Sequence, residues 1–258
     1  MNTWKAAGHV LLAVAVVALS TPAPVSAKPK HGRRVLERPL TYRLYATREG
    51  LVGSTTSSGH RITERDHFVA LPSTKTVSPK GKGAFTVRVC RTDGTRCEYA
   101  PVWDVGPWNE HDDYWNPADR RAKFASLPQG VPEAQAAYQD GFNGGKDERG
   151  RTVRNPAGLD LADGTFWDGL GLKGSSYVDV TFLWTGDSPA TAVVTGGAPL
   201  VVRTSASDDA PPAGLAAVGA QVPIECSVSD GATHWNRIGP GHYVPEADLR
   251  ADTAVPSC

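Results

Sequence analysis

The sequence has no excess of positive or negative charge, and it contains a single long hydrophobic run. Its 258 residues carry 27 Lys and Arg against 27 Asp and Glu, so the net charge is zero and a strongly basic nucleic-acid binder is excluded. The one long apolar run, Val10 to Leu19, is too short for a bilayer span of about 20 residues, which excludes an integral membrane protein. A hydrophobic content of 40% excludes a disordered chain.

That apolar run has the form of a secretory signal peptide. Lys5 precedes it, and Val25 to Ala27 follow it as a small-residue cleavage site, so residues 1–27 are predicted to be removed. The pattern predicts a secreted protein, extracellular or associated with the cell wall. Residues 28–39 are polar and basic, and we expect them to form a mobile leader.

Cysteine is scarce, and its spacing excludes metal and redox sites. The four cysteines form neither a Cys-x-x-Cys pair nor a zinc-type Cys/His set, so no cofactor is predicted. In an exported chain they are expected to form disulfides. Cys90 and Cys97 flank an Asp-Gly hairpin signal, which predicts that they link adjacent strands. Cys226 and Cys258 would then close the C-terminal region.

Long helical periodicity is almost absent, whereas turn-forming residues are abundant. The 27 Gly and 20 Pro predict a mainly β fold of short strands joined by turns. Residues 40–184 are predicted to form one compact domain, with a short helix from Pro132 to Asp140. Residues 185–198 are small and polar and predict a linker. Residues 199–258 are predicted to form a second, smaller β domain.

The strand that ends at Gly106-Pro107 contains the side chain with the most evident chemistry, Asp104. Alternation puts Asp104 on the same face as Val102, with Trp103 on the opposite face. Partial burial would raise the pKa of this carboxyl, so that it holds a proton near neutral pH as a general acid must. The alternative is that Asp104 only accepts hydrogen bonds from nearby turn amides.

Four segments occur in a fixed order between residues 40 and 184. They are Thr56 to Gly59, Phe68 to Pro72, the Asp-x-Gly-Pro run at Asp104, and Leu159 to Ala162 followed by Leu170 to Leu172. Together they resemble the double-psi β-barrel family, which contains rare lipoprotein A and the expansins. The resemblance implies a six-stranded barrel with a shallow polysaccharide groove. It also marks residues 108–156 as a long insertion.

The resemblance further implies a reaction. In the lytic members, the family Asp is thought to protonate the glycosidic oxygen of peptidoglycan before the sugar's own 6-hydroxyl attacks; that position is Asp104 here. Asp160 falls on the second acidic position, where it would orient the substrate or cap the next helix, and Thr56 is a candidate substrate contact. The histidine position of the lytic members is Phe68 here. His67, one residue earlier, is a catalytic candidate only if a bulge turns it to the same face.

The insertion carries aromatic side chains that suit a sugar. Trp108, Tyr114 and Trp115 would stack on pyranose faces if they are exposed. The alternative is that the loop packs these rings onto the barrel.

No metal site is predicted in the insertion. His111, Asp112 and Asp113 are adjacent in the chain and would not converge on one ion, so a solvated polar turn is favoured. Residues 140–147 resemble a calcium loop but lack oxygen ligands at the third and fifth positions.

The C-terminal segment, residues 199–258, resembles a bacterial SH3-like domain. The similarity lies in Val201 to Arg203, Trp235 to Ile238 and Gly241 to Val244. Such domains commonly dock on peptidoglycan peptides or other wall polymers, which makes Trp235 and Tyr243 candidate contacts. The alternative places Trp235 in the small core of the domain.

These observations predict a secreted cell-wall protein. It would bind peptidoglycan, or another cell-wall polysaccharide, and cleave the glycan strands by acid/base chemistry at Asp104. One alternative is an expansin-like module that binds or loosens polysaccharide without cleaving it. Another is a protein-binding or inhibitor barrel. A serine hydrolase is excluded, because no Gly-x-Ser-x-Gly surrounds Ser57 or Ser58.

Overall fold

The computed structural model describes Met1 and residues 36–258, apart from residues 230, 232 and 252. The predicted signal peptide beyond Met1, and residues 28–35 of the predicted leader, therefore lie outside the described residues. Within the described part of the chain, every helix is too short or too polar to cross a bilayer.

The described residues form fourteen β-strands and one α-helix. The strands are β1 (Leu40–Arg48), β2 (Val69–Leu71), β3 (Thr86–Arg91), β4 (Cys97–Val105), β5 (Ala157–Leu161), β6 (Ser176–Phe182), β7 (Ala190–Val194), β8 (Leu200–Arg203), β9 (Pro212–Ala216), β10 (Gln221–Ile224), β11 (Cys226–Ser229), β12 (His234–Gly239), β13 (His242–Pro245) and β14 (Leu249–Ala251). The helix, α1, spans Glu133–Asp140, between Pro132 at its start and a left-handed Gly141 after its end. The fold is mainly β, as predicted.

The first six strands close into a barrel in the order β1-β5-β2-β4-β3-β6. The pairs β1–β5 and β2–β4 are parallel, and the other four pairs are antiparallel. If β1, β2 and β3 exchange places with β4, β5 and β6, respectively, the set of pairings stays the same. The barrel therefore consists of two halves with equivalent topology. This pattern confirms the predicted six-stranded barrel and is consistent with a double-psi barrel. Every barrel strand has two neighbours, which removes free edges.

Alternating side chains of the barrel strands fill one hydrophobic core. In β1, Leu44 and Ala46 are fully buried, whereas Tyr45 and Thr47 lie on the outer face. This alternation is what a strand with one buried face requires. The outer face of β1 is therefore available for polar side chains, and the candidate site lies at its end.

The insertion between β4 and β5 is held by a buried ion pair. Arg121 Nε donates to Asp112 Oδ1 at 2.9 Å, and both side chains are inaccessible to solvent. Asp112 Oδ2 accepts from the backbone N of Glu133 at 2.6 Å, at the start of α1. Asp113 is buried as well. The predicted solvated turn is therefore wrong at both positions, because these carboxylates bind groups of the insertion itself.

The C-terminal strands form two sheets. Strand β9 pairs in parallel with β4 of the barrel, and β8, β13, β12 and β11 continue outward from it. Strands β10, β7 and β14 form a separate three-stranded sheet. Strand β7 lies inside residues 185–198, and its Ala190, Ala192 and Val194 are buried. This segment is thus more than a linker, because its small residues pack. The SH3-like assignment stays a prediction.

Both predicted disulfides are present. Cys90 and Cys97 face each other across the β3–β4 hairpin, and Cys226 on β11 is bonded to Cys258 at the end of the chain.

Removing the C-terminal disulfide is expected to cost more stability than removing the hairpin disulfide. The bonded cysteines are 32 residues apart in the first case and 7 in the second. Loop-closure entropy gives about 3.5 kcal/mol for the longer loop and about 2.5 kcal/mol for the shorter one. Urea denaturation of Cys226→Ser/Cys258→Ser and Cys90→Ser/Cys97→Ser should show this difference of about 1 kcal/mol. A larger loss for the hairpin pair would contradict the prediction.

Candidate functional site

Four residues form a row across the outer face of the barrel. Thr47 on β1 pairs with Asp160 on β5, Asp160 pairs with Ala70 on β2, and Ala70 pairs with Asp104 on β4. Paired residues point to the same side of a sheet, so the two carboxyl groups flank the small Ala70 on one surface. The structure thus brings together Asp104 and Asp160, which the sequence analysis selected separately.

A β-bulge in β4 places Asp104 on this outer face. Val69 pairs with Val102 in the core, but the next residue of β2, Ala70, pairs with Asp104. The extra residue of β4 reverses the alternation, so that Asp104 faces outward although Val102 faces the core. The predicted common face of Asp104 and Val102 is therefore wrong, because strict alternation holds only in a regular strand.

Glu49, which the sequence analysis did not single out, completes the site. It directly follows β1, its backbone N donates to the carbonyl of Leu161 at 2.8 Å, and its Oε2 is buried without a hydrogen-bond partner. Burial raises the pKa of Glu49 to about 9, and the nearby carboxyl groups of Asp160 and Asp104 raise it further. Glu49 is therefore a neutral acid at neutral pH.

A sequence signal for Glu49 exists, but it is weak. Tyr45, Thr47 and Glu49 follow the period of a strand and share its outer face. A single acidic residue before Gly50 is also typical of an ordinary solvated strand end. Only the fold shows that two other carboxyl groups converge on it.

Asp104 is held by three donors. The backbone N and the Oγ of Ser57 donate to Oδ1 at 2.8 and 2.7 Å, and the backbone N of Val105 donates at 2.8 Å. A carboxylate acts only as an acceptor, and this set of donors matches that role. Turn amides thus do bind Asp104, as the alternative predicts, but its carboxyl group also lies close enough to Glu49 and Asp160 to raise the pKa of both. Ser57 is exposed and Asp104 is half-buried, so the carboxyl group of Asp104 is accessible to solvent beside Ser57.

Thr56 stabilises the turn that contains Ser57. It is 4% exposed, its Oγ1 accepts from the backbone N of His60 at 3.1 Å, and the same oxygen lies 2.9 Å from Ser58 Oγ. These bonds shape the turn that presents Ser57 to Asp104. Thr56 is therefore a positioning residue, and its predicted contact with substrate is wrong because its side chain is buried.

Asp160 is the third carboxyl group of the site. Burial raises its pKa to about 6; the hydrogen bond from Thr47 Oγ1 acts against this shift, and the charge of Asp104 adds to it. The predicted capping role is wrong, since the next helical turn has Gly164 at its N-cap and no side-chain cap. Asp160 instead adds the negative charge that helps to keep Glu49 protonated.

His67 lies toward the opposite end of β4. Its Nδ1 is 2.9 Å from Oε1 of the buried Glu98. Glu98 and Asp104 are six residues apart on β4, which corresponds to about 20 Å in an extended strand. Burial acts to lower the pKa of His67, but the hydrogen bond and charge of Glu98, with Asp168 and Asp66, raise it overall. The predicted catalytic role beside Asp104 is wrong, because Glu98 fixes this ring elsewhere.

Tyr114 and Trp115 belong to the barrel core. They are 0% and 2% exposed, and Trp115 stacks on Phe182 with ring centroids 5.0 Å apart. The hydroxyl of Tyr114 donates to the carbonyl of Gly158 at 2.9 Å. A ring without a free face cannot stack on a sugar, so the predicted substrate contacts are wrong for both residues. The insertion packs these rings onto the barrel instead.

The remaining aromatic candidates differ in exposure. Trp108 is half-buried, and its Nε1 donates to Asn155 Oδ1 at 3.0 Å. Trp235 is fully buried, as expected if it lies in the core of the C-terminal region. Its predicted contact with a cell-wall polymer is therefore wrong. Tyr243 is half-buried and stays a candidate contact.

One group of potential metal ligands lies in the insertion. Ligand atoms of Glu110, His111 and Glu148 lie within 4.8 Å of one another. Lys123 Nζ is 3.2 Å from Glu148 Oε2, and Arg149 pairs with Glu110. These two cations already balance the carboxylates, so the geometry favours an ion-pair network.

A family model matches residues 40–181, which is more than half of the chain and spans the barrel. Its description is a domain of unknown function (DUF8814). The chain belongs to the DUF8814 family. All three carboxyl residues of this DUF8814 protein, Glu49, Asp104 and Asp160, lie within the matched range.

The other comparisons are weaker. No curated protein matches this DUF8814 chain. Among solved structures it is similar to a Clavibacter michiganensis expansin, as a mutant in complex with cellohexaose (12% identity, TM-score 0.29) and in the apo form (14% identity, TM-score 0.29). Each match covers 85% of this chain and 81% of the expansin chain. A likeness of this size carries no argument, and the fold follows from the strand pairings alone.

Proposed function

We propose that this protein is a secreted cell-wall protein that binds a polysaccharide strand at the outer row of its barrel and cleaves it by acid/base chemistry. One observation carries the proposal: the carboxyl groups of Asp104 and Asp160 lie on one outer row of the barrel beside Glu49, whose burial raises its pKa to about 9. Cleavage of a glycosidic bond needs one group that protonates the leaving oxygen and another that takes a proton from the attacking hydroxyl. A neutral acid beside a carboxylate supplies both.

In the proposed reaction, Glu49 donates its proton to the glycosidic oxygen as the bond from that oxygen to the anomeric carbon breaks. The 6-hydroxyl of the same sugar attacks the anomeric carbon, and its proton goes to Asp104. The products are a free hydroxyl end and an anhydro-sugar end, and no water is consumed. The proton then returns from Asp104 to the neighbouring carboxyl group of Glu49, which completes the cycle. Asp104 is thus the base, and Glu49 takes the acid role that the sequence assigned to Asp104.

Peptidoglycan is the substrate that the sequence supports best. The barrel motifs resemble those of lytic family members, and the predicted signal peptide directs the chain to the cell envelope. The half-exposed Tyr243 in the C-terminal strands provides a second contact for the polymer. Two linked sites would raise the affinity for a long chain.

A module that binds polysaccharide without cleaving it is the second candidate. The observation that favours it is the histidine position of the lytic members. Here that position is Phe68, which is fully buried, and His67 is bound to Glu98.

Purified peptidoglycan distinguishes these candidates. The chain without its predicted signal peptide should release fragments with anhydro-sugar ends, detected by mass spectrometry. Asp104→Asn should lower the rate by about a hundredfold, because the base is lost. Asp179→Asn is the matched control, since Asp179 pairs with Arg43 on the outer face of β6, and it should keep the wild-type rate.

The outcomes are separable. Fragments formed equally by wild type and Asp104→Asn would remove Asp104 from the mechanism. If no protein releases fragments but all pellet with peptidoglycan, the binding module is the correct function. A chain that neither cleaves nor pellets with peptidoglycan, cellulose or xylan would overturn both candidates.

A further inference from the structure

An exposed tryptophan lies between two arginines on the surface of the barrel domain. Trp167 lies on the π-helical turn Thr165–Gly169, and 38% of its surface is exposed. The guanidinium carbons of Arg48 and Arg65 lie 5.0 and 4.7 Å from its ring centroid. Arg48 directly precedes Glu49 in the chain.

The ring orders guanidinium groups whose donors are mostly free. Arg48 Nη1 donates to Asp163 Oδ1 at 2.8 Å, and Arg65 Nη1 donates to Asp168 Oδ1 at 2.9 Å. Both arginine side chains remain about half exposed. A guanidinium has five N–H donors, so each group keeps several for a ligand. Contact with the ring holds them in place before binding, which reduces the entropy lost when a ligand arrives.

A cavity of about 420 Å³ opens at the same ring. Its lining consists of Arg65, Trp167, Asp168, Gly171, Leu172 and Lys173. This volume is in the range that holds small ligands. The lining combines the apolar surface of Trp167 and Leu172 with the exposed ammonium group of Lys173. Such a mixture suits a ligand that has both a flat apolar face and a negative charge.

Positive charge exceeds negative charge around this cavity. Arg96 Nη2 donates to the backbone carbonyl of Asp168 at 2.5 Å and so adds a cation without engaging a carboxylate. The cationic side chains are Arg48, Arg65, Arg96 and Lys173, and the carboxylates are Asp163 and Asp168. A net positive cleft attracts an anion and discriminates against its neutral analogue.

We propose that this surface, the arginine–tryptophan cleft (Arg48, Arg65, Trp167 and Lys173), binds a carboxylate-bearing sugar residue of an acidic polysaccharide. The guanidinium groups of Arg48 and Arg65 lie over the ring of Trp167, so the sugar contacts the exposed edge of this indole rather than stacking on its face. Its carboxylate accepts hydrogen bonds from the planar guanidinium donors, which match it in a bidentate manner. The cleft makes the protein selective for acidic polymers. This inference rests on the proposed binding of polysaccharide, but not on its cleavage.

The test compares one polymer with and without its charge. Oligogalacturonate and its methyl ester have the same sugar backbone and differ in the carboxylate. By calorimetry, the mature chain should bind oligogalacturonate at least about tenfold more tightly than the ester. Trp167→Ala should weaken binding of the charged form about tenfold, and Lys173→Gln should weaken it less, since the guanidinium groups remain. Tyr138→Ala, at an exposed aromatic residue of α1, is the matched control and should bind as wild type does.

Two failures are distinguishable. The inference is overturned, and the proposed function stands, if both oligosaccharides bind equally or if neither binds while the protein still pellets with peptidoglycan. The same conclusion follows if Trp167→Ala and Lys173→Gln both leave the affinity for oligogalacturonate unchanged. If the wild type binds no polysaccharide of any kind, the proposed function fails and the inference fails with it. Circular dichroism of the variants checks that each is folded.

Discussion

Replacing Glu49 with glutamine is expected to lower the cleavage rate by about 10²–10⁴-fold, because the variant has no proton to give to the glycosidic oxygen. Glutamine keeps the size of the side chain and its capacity to form hydrogen bonds. Binding to peptidoglycan, measured by pelleting, should therefore be unchanged. The wild-type rate should fall as the pH rises through about 9, where Glu49 ionises. Release of anhydro-ended fragments as a function of pH checks both expectations.

The same substitution is expected to stabilise the fold. The pKa of Glu49 is raised from 4.5 to about 9, so the folded wild type loses stability as the pH rises between these values. At about pH 7, which is about 2.5 units above the unshifted pKa, this loss amounts to roughly 3 kcal/mol at about 1.4 kcal/mol per unit. Glutamine removes it, and the Tm of the variant should exceed that of the wild type by about 5–10 °C. Below pH 4.5 the two proteins should have the same Tm.

The control for both effects is Glu64→Gln, at an exposed carboxyl group outside the site. It should change neither the rate nor the Tm. A Glu49→Gln variant with the wild-type rate would remove Glu49 from the mechanism. A variant that is less stable than the wild type in mild alkali would show that Glu49 is ionised in the folded protein. Loss of activity with gain of stability is the combination that a functional acid predicts, because sites are built at the expense of stability.

Replacing Arg121 with alanine is expected to lower the free energy of unfolding by about 3–5 kcal/mol, because it leaves the carboxylate of Asp112 buried and unpaired. Asp112 Oδ1 loses two donors of Arg121, at 2.9 and 2.5 Å. The carbonyl oxygens of Pro128 and Val131 lose a donor as well. The Tm should fall by about 10 °C or more. Arg120→Ala, at the exposed neighbouring position, should leave the Tm almost unchanged.

The cost of losing Arg121 should shrink in acid. Burial raises the pKa of Asp112 to about 6 although Arg121 acts to lower it, so without Arg121 the pKa rises further. A raised pKa favours the folded state at low pH and penalises it as the pH rises. The variant should therefore lose more stability at about pH 8 than at about pH 5.

A second variant separates the charge from the packing. Asp112→Asn in the Arg121→Ala background removes the buried charge while keeping an acceptor for the backbone N of Glu133. It should recover most of the lost stability in urea denaturation. A loss that is independent of pH, or a double variant as unstable as Arg121→Ala, would mean that packing rather than the uncompensated charge causes the effect.

Patterns of neighbouring residues were sufficient for much of the fold. The Asp-Gly turn between Cys90 and Cys97 identified their disulfide, because a hairpin places its flanking residues opposite each other. Pro132 indicated the start of α1 for a comparable reason, since proline suits the first turn of a helix. The resemblance of four short segments, in order, to the double-psi β-barrel family implied a six-stranded barrel, which the strand pairings confirm. Each of these inferences depends on residues that are close in sequence or on their order.

The wrong predictions concern residues whose surroundings come from segments that are distant in the sequence. Tyr114 and Trp115 carry the composition of a sugar-binding loop, yet they fill the barrel core, because the strands leave room there for large rings. His67 was selected by its distance in sequence from a motif, and its ring is held by Glu98 from another strand. Residue type alone does not separate an exposed aromatic side chain from a core one.

Local patterns in the chain were enough to predict a disulfide-bonded, mainly β protein, and a family resemblance drew attention to Asp104 and Asp160. The folded barrel was needed to show that Glu49 lies beside them, in a buried position that raises its pKa. A single extra residue in β4 turns Asp104 outward, and barrel closure then brings it to Asp160 and to Glu49 from the far end of β1. The pKa of Glu49 depends on burial and on two carboxyl groups more than fifty residues away in the chain. Desolvation and charge act through space, so they become visible only when the chain is folded.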